Sequence, residues 1–170
     1  MIATARLRLI PATAAHFEAL AESEARLAAA LGVTAAEEWL EFDAARAAMA
    51  QAGEFLAEHP EAARWWTYWF VHAADARLIG LGGFKGAPAE GVVEIGYALA
   101  PAYRAQGLAS EAAEGMIAFA RAHAVERILA HTLPEANRST AVLERLGFAC
   151  EGAVVDPEDG VIWRWSLARG

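Results

Sequence analysis

Apolar and polar positions alternate along the chain in two periods, one typical of strands and one typical of helices. Strands are predicted at 6–10, 64–72, 78–85, 92–99, 127–132 and 161–167, with one more just before the turn at 156–160. Helices are predicted to begin at Thr13, at Thr34, near Ala109 and at Asn137. Strands that first follow one another and then alternate with helices predict a mixed α/β sheet in one domain, residues 1–170.

The two early helices are predicted from caps and spacing. Thr13 can cap a helix that breaks near Gly32, and its apolar positions are Phe17, Leu20, Leu27 and Leu31. Thr34, with Glu37 three residues on, has the form of a capping box for a second helix that stops at Pro60. The apolar side of that second helix would include Trp39, Leu40, Phe42, Ala47 and Met49.

Composition describes a globular chain. Hydrophobic residues make up 56% of the 170 residues and charged residues 21%, so a substantial core is expected. Because no apolar run is long enough to span a bilayer and no secretory signal opens the chain, we expect a cytoplasmic protein without membrane contact. The single cysteine, Cys150, suits a reducing compartment, and we expect it to be a small core residue.

The formal charge of −8 argues against nucleic acid as a partner, because nucleic-acid binding depends on basic patches. The same acidity favours a cationic acceptor such as an amine. The five histidines share no ligand-like spacing and no cysteine pair joins them, so no metal site is predicted. The aromatic side chains of Trp65, Trp66, Tyr68 and Trp69 are expected mostly in the core, with one of the two adjacent tryptophans exposed.

A short loop between the strand at 92–99 and the following helix carries the strongest indication of function. Gly107 would let an anion approach the backbone, where the first amides of the helix have no partners. Arg104 and Gln106 add a cation and a neutral hydrogen bonder. The loop lacks the Gly-Lys-Ser/Thr ending of nucleotide P-loops and the three glycines of dinucleotide folds. It therefore predicts a different pyrophosphate site.

Five segments of the chain carry a resemblance to one family. The loop reads Arg104-x-x-Gly107-x-Ala109, which resembles the acyl-CoA pyrophosphate loop of the GNAT N-acetyltransferases. The segments 94–101 and 127–132 look like that family's fourth and fifth strands. The segments 5–11 and 137–148 are similar to the first strand and last helix of the ribosomal-protein N-terminal acetyltransferase branch.

The resemblance implies a fold, a cosubstrate and a reaction. The fold would be a twisted, mostly antiparallel sheet flanked by helices and splayed between the family's fourth and fifth strands. Acetyl-CoA would bind first, and a primary amine, from a protein N-terminus or a small molecule, would attack it directly in a monomer or homodimer. The pantetheine arm and the thioester oxygen would use backbone groups of Tyr97, Ala98 and Leu99. The implied cofactor-binding set is completed by Arg104, Ala105, Gln106, Gly107, Leu108, Ala109, Ser110, Asn137, Ser139 and Arg145.

Glu94 is the first candidate for the base that takes a proton from the amine. It stands in an apolar strand, and by alternation Gly96 and Ala98 share its face and leave room for a ligand. Partial burial would raise the pKa of Glu94 toward a useful value. Glu94 could instead pair with an arginine or lie at an exposed edge. His131 is the second candidate, with a structural role as its alternative.

Ser139 is the proton donor that the resemblance suggests for the leaving thiolate, because the helix from Asn137 contains no tyrosine. Asn137 precedes Ser139 by two residues, where the branch commonly has three, so the register of these contacts departs from the family pattern. Asn137 can also cap the helix. The thiolate could leave unassisted, which would make a donor unnecessary.

Two further functions are compatible with the loop. A noncatalytic acyl-CoA sensor or interaction module would keep Arg104, Gly107 and the helix amides but need no base. A protein that binds some other phosphorylated ligand would use the same groups. Loss of turnover on replacing Glu94 would distinguish the enzyme from the sensor. Competition for the site by CoA, but not by ATP or NAD, would exclude another phosphorylated ligand.

Overall fold

The computed structural model describes residues 1–40, 43–157 and 159–169, which form nine strands and five α-helices. The strands are β1 (Ile2–Ala3), β2 (Leu7–Pro11), β3 (Thr34–Ala35), β4 (Thr67–His72), β5 (Arg77–Phe84), β6 (Val92–Leu99), β7 (Arg127–Thr132), β8 (Ala149–Asp156) and β9 (Gly160–Ala168). The helices are α1 (Ala14–Glu22), α2 (Glu24–Ala30), α3 (Asp43–Glu58), α4 (Leu108–Ala122) and α5 (Arg138–Arg145). Short 3-10 helices lie at Pro60–Trp65 and Pro101–Tyr103.

The strands form one sheet in the order β1-β2-β4-β5-β6-β7-β9-β8, with β3 beside β5. Neighbours are antiparallel except for the pairs β3–β5 and β6–β7, which are parallel. Helix α4 connects the parallel neighbours β6 and β7. Helix α5 connects β7 to β8, which run in the same direction on either side of β9. The predicted fold class, a mixed α/β sheet that is mostly antiparallel and flanked by helices, is confirmed.

The sheet opens between β6 and β7. These two strands pair only at Val92–Glu94 against Arg127–Leu129, and the described residues beyond that point, 95–99 and 130–132, have no partners across this pair. Each strand remains held on its other side, β6 by β5 and β7 by β9. The predicted splay therefore lies here; we call it the β6–β7 opening.

The core has two layers, one on each face of the sheet. Trp69 is fully buried and packs against Phe17 of α1, with ring centroids 5.4 Å apart. The adjacent residue Tyr68 points to the other face, where it contacts Phe119 of α4 at 6.5 Å. Because successive residues of a strand alternate faces, α1 and α4 cover opposite sides of β4.

The early helices differ from the prediction. The first predicted helix breaks at Ser23, whose hydroxyl accepts from the Arg26 N–H at 3.1 Å and so caps α2. The helix predicted at Thr34 is wrong: Thr34–Ala35 is strand β3, and Ala36 N–H donates to Leu78 C=O at 2.8 Å. Pairing with β5 overrides the capping-box pattern, and α3 begins at Asp43. Phe42 and the side chain of Ala47 lie outside the described part of the chain.

Two predictions about single side chains have opposite outcomes. Trp65, Tyr68 and Trp69 are buried and Trp66 is partly exposed, as predicted. Cys150 is exposed on β8, so its assignment to the core is wrong. It lies next to a register shift in the outermost strand of the sheet. No helix within 1–40, 43–157 and 159–169 is both long and apolar enough to cross a bilayer.

Candidate active site

The loop between β6 and α4 has the backbone of an anion site. Gly107 is the N-cap of α4 and adopts a left-handed conformation with φ of 77°. The first intrahelical hydrogen bond runs from Glu111 N–H to Gly107 C=O at 3.0 Å, so the amides of Leu108, Ala109 and Ser110 have no helical partner. These amides point out of the helix end, where the helix dipole favours a negative charge.

Two further observations fit a phosphate group at this loop. A Cβ added at Gly107 would meet only the Arg6 Nη2 atom, at 3.5 Å, so the approach to the backbone is open. The Ser110 hydroxyl is buried and has no hydrogen-bond partner among the described residues. Since an unpaired buried hydroxyl costs free energy, a phosphate oxygen that accepted from it would stabilise the loop.

The other predicted loop residues shape the backbone. Arg104 Nε donates to the Leu99 C=O at 2.8 Å, so its side chain lies against the end of β6. The Gln106 side-chain amide donates to the Ala102 C=O at 2.8 Å. Ala105 has a positive φ of 59°, which is unusual for a residue with a side chain. Gln106 therefore braces the turn, and the amides after it are left to face a ligand.

Arg6, which the sequence pattern did not predict as a site residue, lies over this loop. Its Nε donates to Glu111 Oε2 at 2.7 Å, and its Nη1 donates to the Gln106 C=O at 3.0 Å. Glu111 Oε1 also accepts from the Arg6 N–H and the Thr4 hydroxyl, both at 2.6 Å. These contacts span 100 to 107 residues of sequence, so no local pattern could have revealed them. We call this set the Arg6–Glu111 clamp.

The backbone of β6 presents polar groups to the β6–β7 opening. Lys85 N–H donates to the Glu94 C=O and Ala100 N–H to the Ile79 C=O, so even-numbered residues of β6 direct these groups toward β5. By alternation, Tyr97 and Leu99 direct theirs toward the opening, while Ala98 directs its own toward β5. Of the predicted backbone donors, Tyr97 and Leu99 are thus suitably oriented. Burial raises the pKa of the Tyr97 hydroxyl to about 12.

Glu94 lies where β6 and β7 begin to separate, and its carboxylate has two close partners. Its Oε1 atom is 2.9 Å from His131 Nδ1 and 2.6 Å from Lys85 Nζ. Arg164 Nε donates to His131 Nε2 at 3.4 Å. Because arginine can only donate, Nε2 is the acceptor and Nδ1–H donates to Glu94. The two predicted candidates for the base therefore form one pair, and β6 is a central strand, not an edge.

The prediction that burial leaves the pKa of Glu94 raised is wrong. Burial does raise the pKa, but hydrogen bonds from His131 and Lys85 and their charges outweigh it, so the pKa lies below its ordinary value. Lys85 was not predicted, because its approach to Glu94 depends on the pairing of β5 with β6.

Asn137 caps α5, as one of its two predicted roles requires. Its side-chain oxygen accepts from the amides of Ser139 and Thr140, at 2.8 and 3.1 Å. Ser139 lies in the first turn of α5, which follows β7 by a short connection, so both residues lie toward the carboxyl end of β7. This is the same edge of the sheet as the loop at Gly107, since β6 and β7 are parallel.

Arg145 is not brought to that edge. It lies at the opposite end of α5 from Asn137 and lines a groove with Glu114, Ile117 and Arg121 in the second half of α4. The phosphate contact expected for Arg145 from the family resemblance has no support from this position. Within the described residues, no group of three or more His, Cys, Asp or Glu lies close enough to hold a metal ion.

A cavity of about 350 Å³ covers the sheet face that carries Glu94, beside the opening. Its floor is formed by β5 and β6, and its wall includes Trp39 and Met49. Lys85 lies at the end nearest Glu94, and Arg104 also contributes to the lining. The site thus combines the loop between β6 and α4, an open strand edge, a carboxylate–imidazole pair and a cavity next to them.

Several solved structures share this fold over nearly the whole chain. An acetyltransferase of the GNAT family from Bacillus anthracis is 21% identical, with a TM-score of 0.67 and coverage of 98% of this chain and 97% of the other. RimL, a ribosomal L7/L12 alpha-N-protein acetyltransferase solved with coenzyme A, is 18% identical, with a TM-score of 0.66 and coverage of 97% and 95%. The microcin C7 self-immunity acetyltransferase MccE, solved with acetyl-CoA and AMP, is 16% identical, with a TM-score of 0.67 and coverage of 97% and 93%.

At these identities, the similarity to solved structures shows only the fold. The family is shown by a match to a sequence model of that family. The family model described as "Acetyltransferase (GNAT) domain" matches residues 6–149, from Arg6 of the clamp to the start of β8. The matched range contains the loop between β6 and α4, the β6–β7 opening, the Glu94–His131 pair and the capped start of α5. The chain belongs to the GNAT acetyltransferase family.

Proposed function

We propose that this protein transfers the acetyl group of acetyl-CoA to a primary amine, either of a protein N-terminus or of a small molecule. The observation that carries the proposal is the Glu94–His131 pair, with an Oε1–Nδ1 distance of 2.9 Å, at the point where β6 and β7 separate. A carboxylate held there lies between the open strand edge and the cavity. Membership of an acetyltransferase family, and relatives solved with coenzyme A or acetyl-CoA, support the same reaction.

The residues present fit acetyl-CoA. The amides of Leu108–Ser110 and the Ser110 hydroxyl would hold the pyrophosphate, with Arg6 and Arg104 adding positive charge. The outward backbone groups of Tyr97 and Leu99 would hydrogen-bond the pantetheine arm as a partner strand would. One of these amides would donate to the thioester oxygen as negative charge develops on it. Asn137 and Ser139 lie on the other side of the opening.

Direct attack requires a neutral amine, whereas most alkyl amines are protonated near neutral pH. In the proposed reaction the amine nitrogen forms the new C–N bond, the C–S bond breaks, and the sulfur leaves as a thiolate. The ammonium form of the substrate first gives one proton to Glu94, whose carboxylate is oriented by the His131 Nδ1–H, and the neutral nitrogen then attacks. The second proton, lost as the C–N bond forms, replaces the one that the thiolate takes up. Ser139 is the proposed proton donor to the thiolate.

Lys85 gives this proposal a specific feature. Its ammonium group lies 2.6 Å from the Glu94 carboxylate, which is the contact that a substrate amine needs. A substrate amine that replaces Lys85 would take over this contact, while the His131 Nδ1–H would continue to orient the carboxylate.

The test is release of free CoA thiol from acetyl-CoA with a panel of amines, comparing the native protein with Glu94→Gln. Glutamine keeps the shape and removes the base, so we expect kcat to fall about 100-fold or more while KM for acetyl-CoA stays within about twofold. Glu18→Gln, on the exposed side of α1, is the matched control and should keep full activity.

Three results would contradict the proposal, each in a different way. Equal turnover by Glu94→Gln would remove Glu94 from the mechanism. Saturable binding of acetyl-CoA without turnover on any amine would favour the noncatalytic acyl-CoA sensor. Absence of acetyl-CoA binding would reject the cosubstrate.

A further inference from the structure

Three of the four residues that form the floor of the cavity beside Glu94 are glycine or alanine. Leu81 and Gly83 of β5 pair with Ala98 and Gly96 of β6, and all four residues line the cavity. Gly96 and Ala98 are exposed although β6 is a central strand. A Cβ added at Gly96 would meet nothing within 4 Å, so this part of the floor is open space.

The wall of the cavity is apolar. Trp39, Leu40 and Met49 line it, and Trp39 and Met49 are themselves buried against the core. Trp39 is held by an edge-to-face contact with Trp69, with ring centroids 6.1 Å apart. The wall is therefore packed into the core, which favours a preformed binding site.

Among the described residues, the charged groups at the cavity are two lining cations and the Glu94 carboxylate beside them. Among the described residues that line it, only Lys85 and Arg104 carry a formal charge, and both are positive. The carboxylate of Glu94 meets the Lys85 ammonium beside the cavity. One substrate ammonium group can replace Lys85 there, but the described lining offers no second carboxylate for a second ammonium group.

We infer that the acceptor is a primary amine with one cationic centre, carried on a single apolar or aromatic group that fills the cavity. The amine lies at Glu94 and the apolar group lies between Trp39, Met49 and the Gly96–Ala98 floor. A cavity of about 350 Å³ has room for a leucine or phenylalanine side chain together with the atoms that join it to the amine. This inference rests on the proposed acetyl transfer and specifies its substrate class.

The experiment compares amines of equal charge and increasing apolar size: glycinamide, alaninamide, leucinamide and phenylalaninamide, with spermidine as a polycation. Release of CoA thiol is measured for each at fixed acetyl-CoA. We expect kcat/KM to rise about 10-fold or more from glycinamide to leucinamide or phenylalaninamide, and spermidine to be the poorest acceptor. A flat series, or a preference for spermidine, would overturn the inference while leaving acetyl transfer established. No release with any amine would overturn both.

A variant series tests whether this cavity provides the preference. Gly96→Val fills the floor, so the ratio of kcat/KM for phenylalaninamide to that for glycinamide should fall about 10-fold or more. Gly96→Ala makes a smaller change of the same sign and serves if the valine variant does not fold. Ala153→Val, on the exposed outer strand β8, adds the same bulk elsewhere and should leave the ratio unchanged. An unchanged ratio in both Gly96 variants would show that the acceptor binds elsewhere.

Discussion

At the scale of single residues, one of the two partners of the Glu94 carboxylate, Lys85, is a group that the solvent can reach. Lys85 is largely exposed, yet its ammonium group contacts the carboxylate at 2.6 Å and helps to hold the pKa of Glu94 below its ordinary value. The proposed base is therefore ionised in the free protein throughout the neutral range. In the proposed reaction, a substrate amine would replace Lys85 at this carboxylate.

Replacing Lys85 by methionine should move the acidic limb of the pH profile. Without the ammonium group, the hydrogen bond and the charge that lower the pKa of Glu94 are both lost, so that pKa rises. Loss of the ionised form then begins at a higher pH, and the acidic limb of kcat/KM, which reports on the free enzyme, shifts upward. Lys85→Arg should keep the native profile. An unshifted limb in Lys85→Met would exclude Glu94 as the titrating base.

At the scale of elements, the loop between β6 and α4 depends on Gly107, the left-handed N-cap residue of α4. Gly107→Ala places a methyl group at the approach to the Leu108–Ser110 amides, so we expect the Kd for acetyl-CoA to rise about 10-fold or more. Gly32→Ala is the matched control, because Gly32 has a similar φ of 70° against 77° for Gly107. Each change should cost about 1 kcal/mol of unfolding free energy. Equal Kd values in titration calorimetry would contradict the role of Gly107.

The elements also show what the sequence could and could not predict. Gly107 and the Asn137 cap are encoded within a few residues, and both predictions describe the local structure correctly. The prediction of a helix at Thr34 was wrong because Thr34–Ala35 pairs as a strand with β5, which lies more than 40 residues away in sequence. Glu94 was predicted from alternation along its own strand. The direction in which its pKa shifts depends on His131 of β7 and on Lys85, directly after β5.

At the scale of the whole molecule, the Arg6–Glu111 clamp joins the start of the sheet to the start of α4. Burial raises the pKa of Glu111, but hydrogen bonds from Thr4 and Arg6 outweigh it and leave the pKa below the ordinary 4.5. A carboxyl whose folded pKa is lowered contributes stability above its unfolded pKa and loses that contribution as the pH falls through its folded pKa. The clamp is thus a source of acid-sensitive stability.

Glu111→Gln should lower the free energy of unfolding at pH 7 by about 1 to 3 kcal/mol, because it weakens three hydrogen bonds to a largely buried carboxylate. Urea denaturation at pH 7 and at lower pH measures the effect. The difference from the native protein should shrink as the pH falls below 4.5. Glu114→Gln, exposed on the same helix, should be neutral. A difference independent of pH would show that the charge of Glu111 is not the cause.

The length of chain inside the clamp has a consequence for biosynthesis. Arg6 and its partner Glu111 are separated by 105 residues. At ordinary rates of translation, Arg6 therefore emerges from the ribosome about 5 to 20 seconds before the carboxylate that pairs with it. During that interval β2 can pair with β4, but the loop that would hold the pyrophosphate cannot close. Ligand-binding competence is therefore acquired late in synthesis, after most of the sheet on the β2 side of the opening has been made.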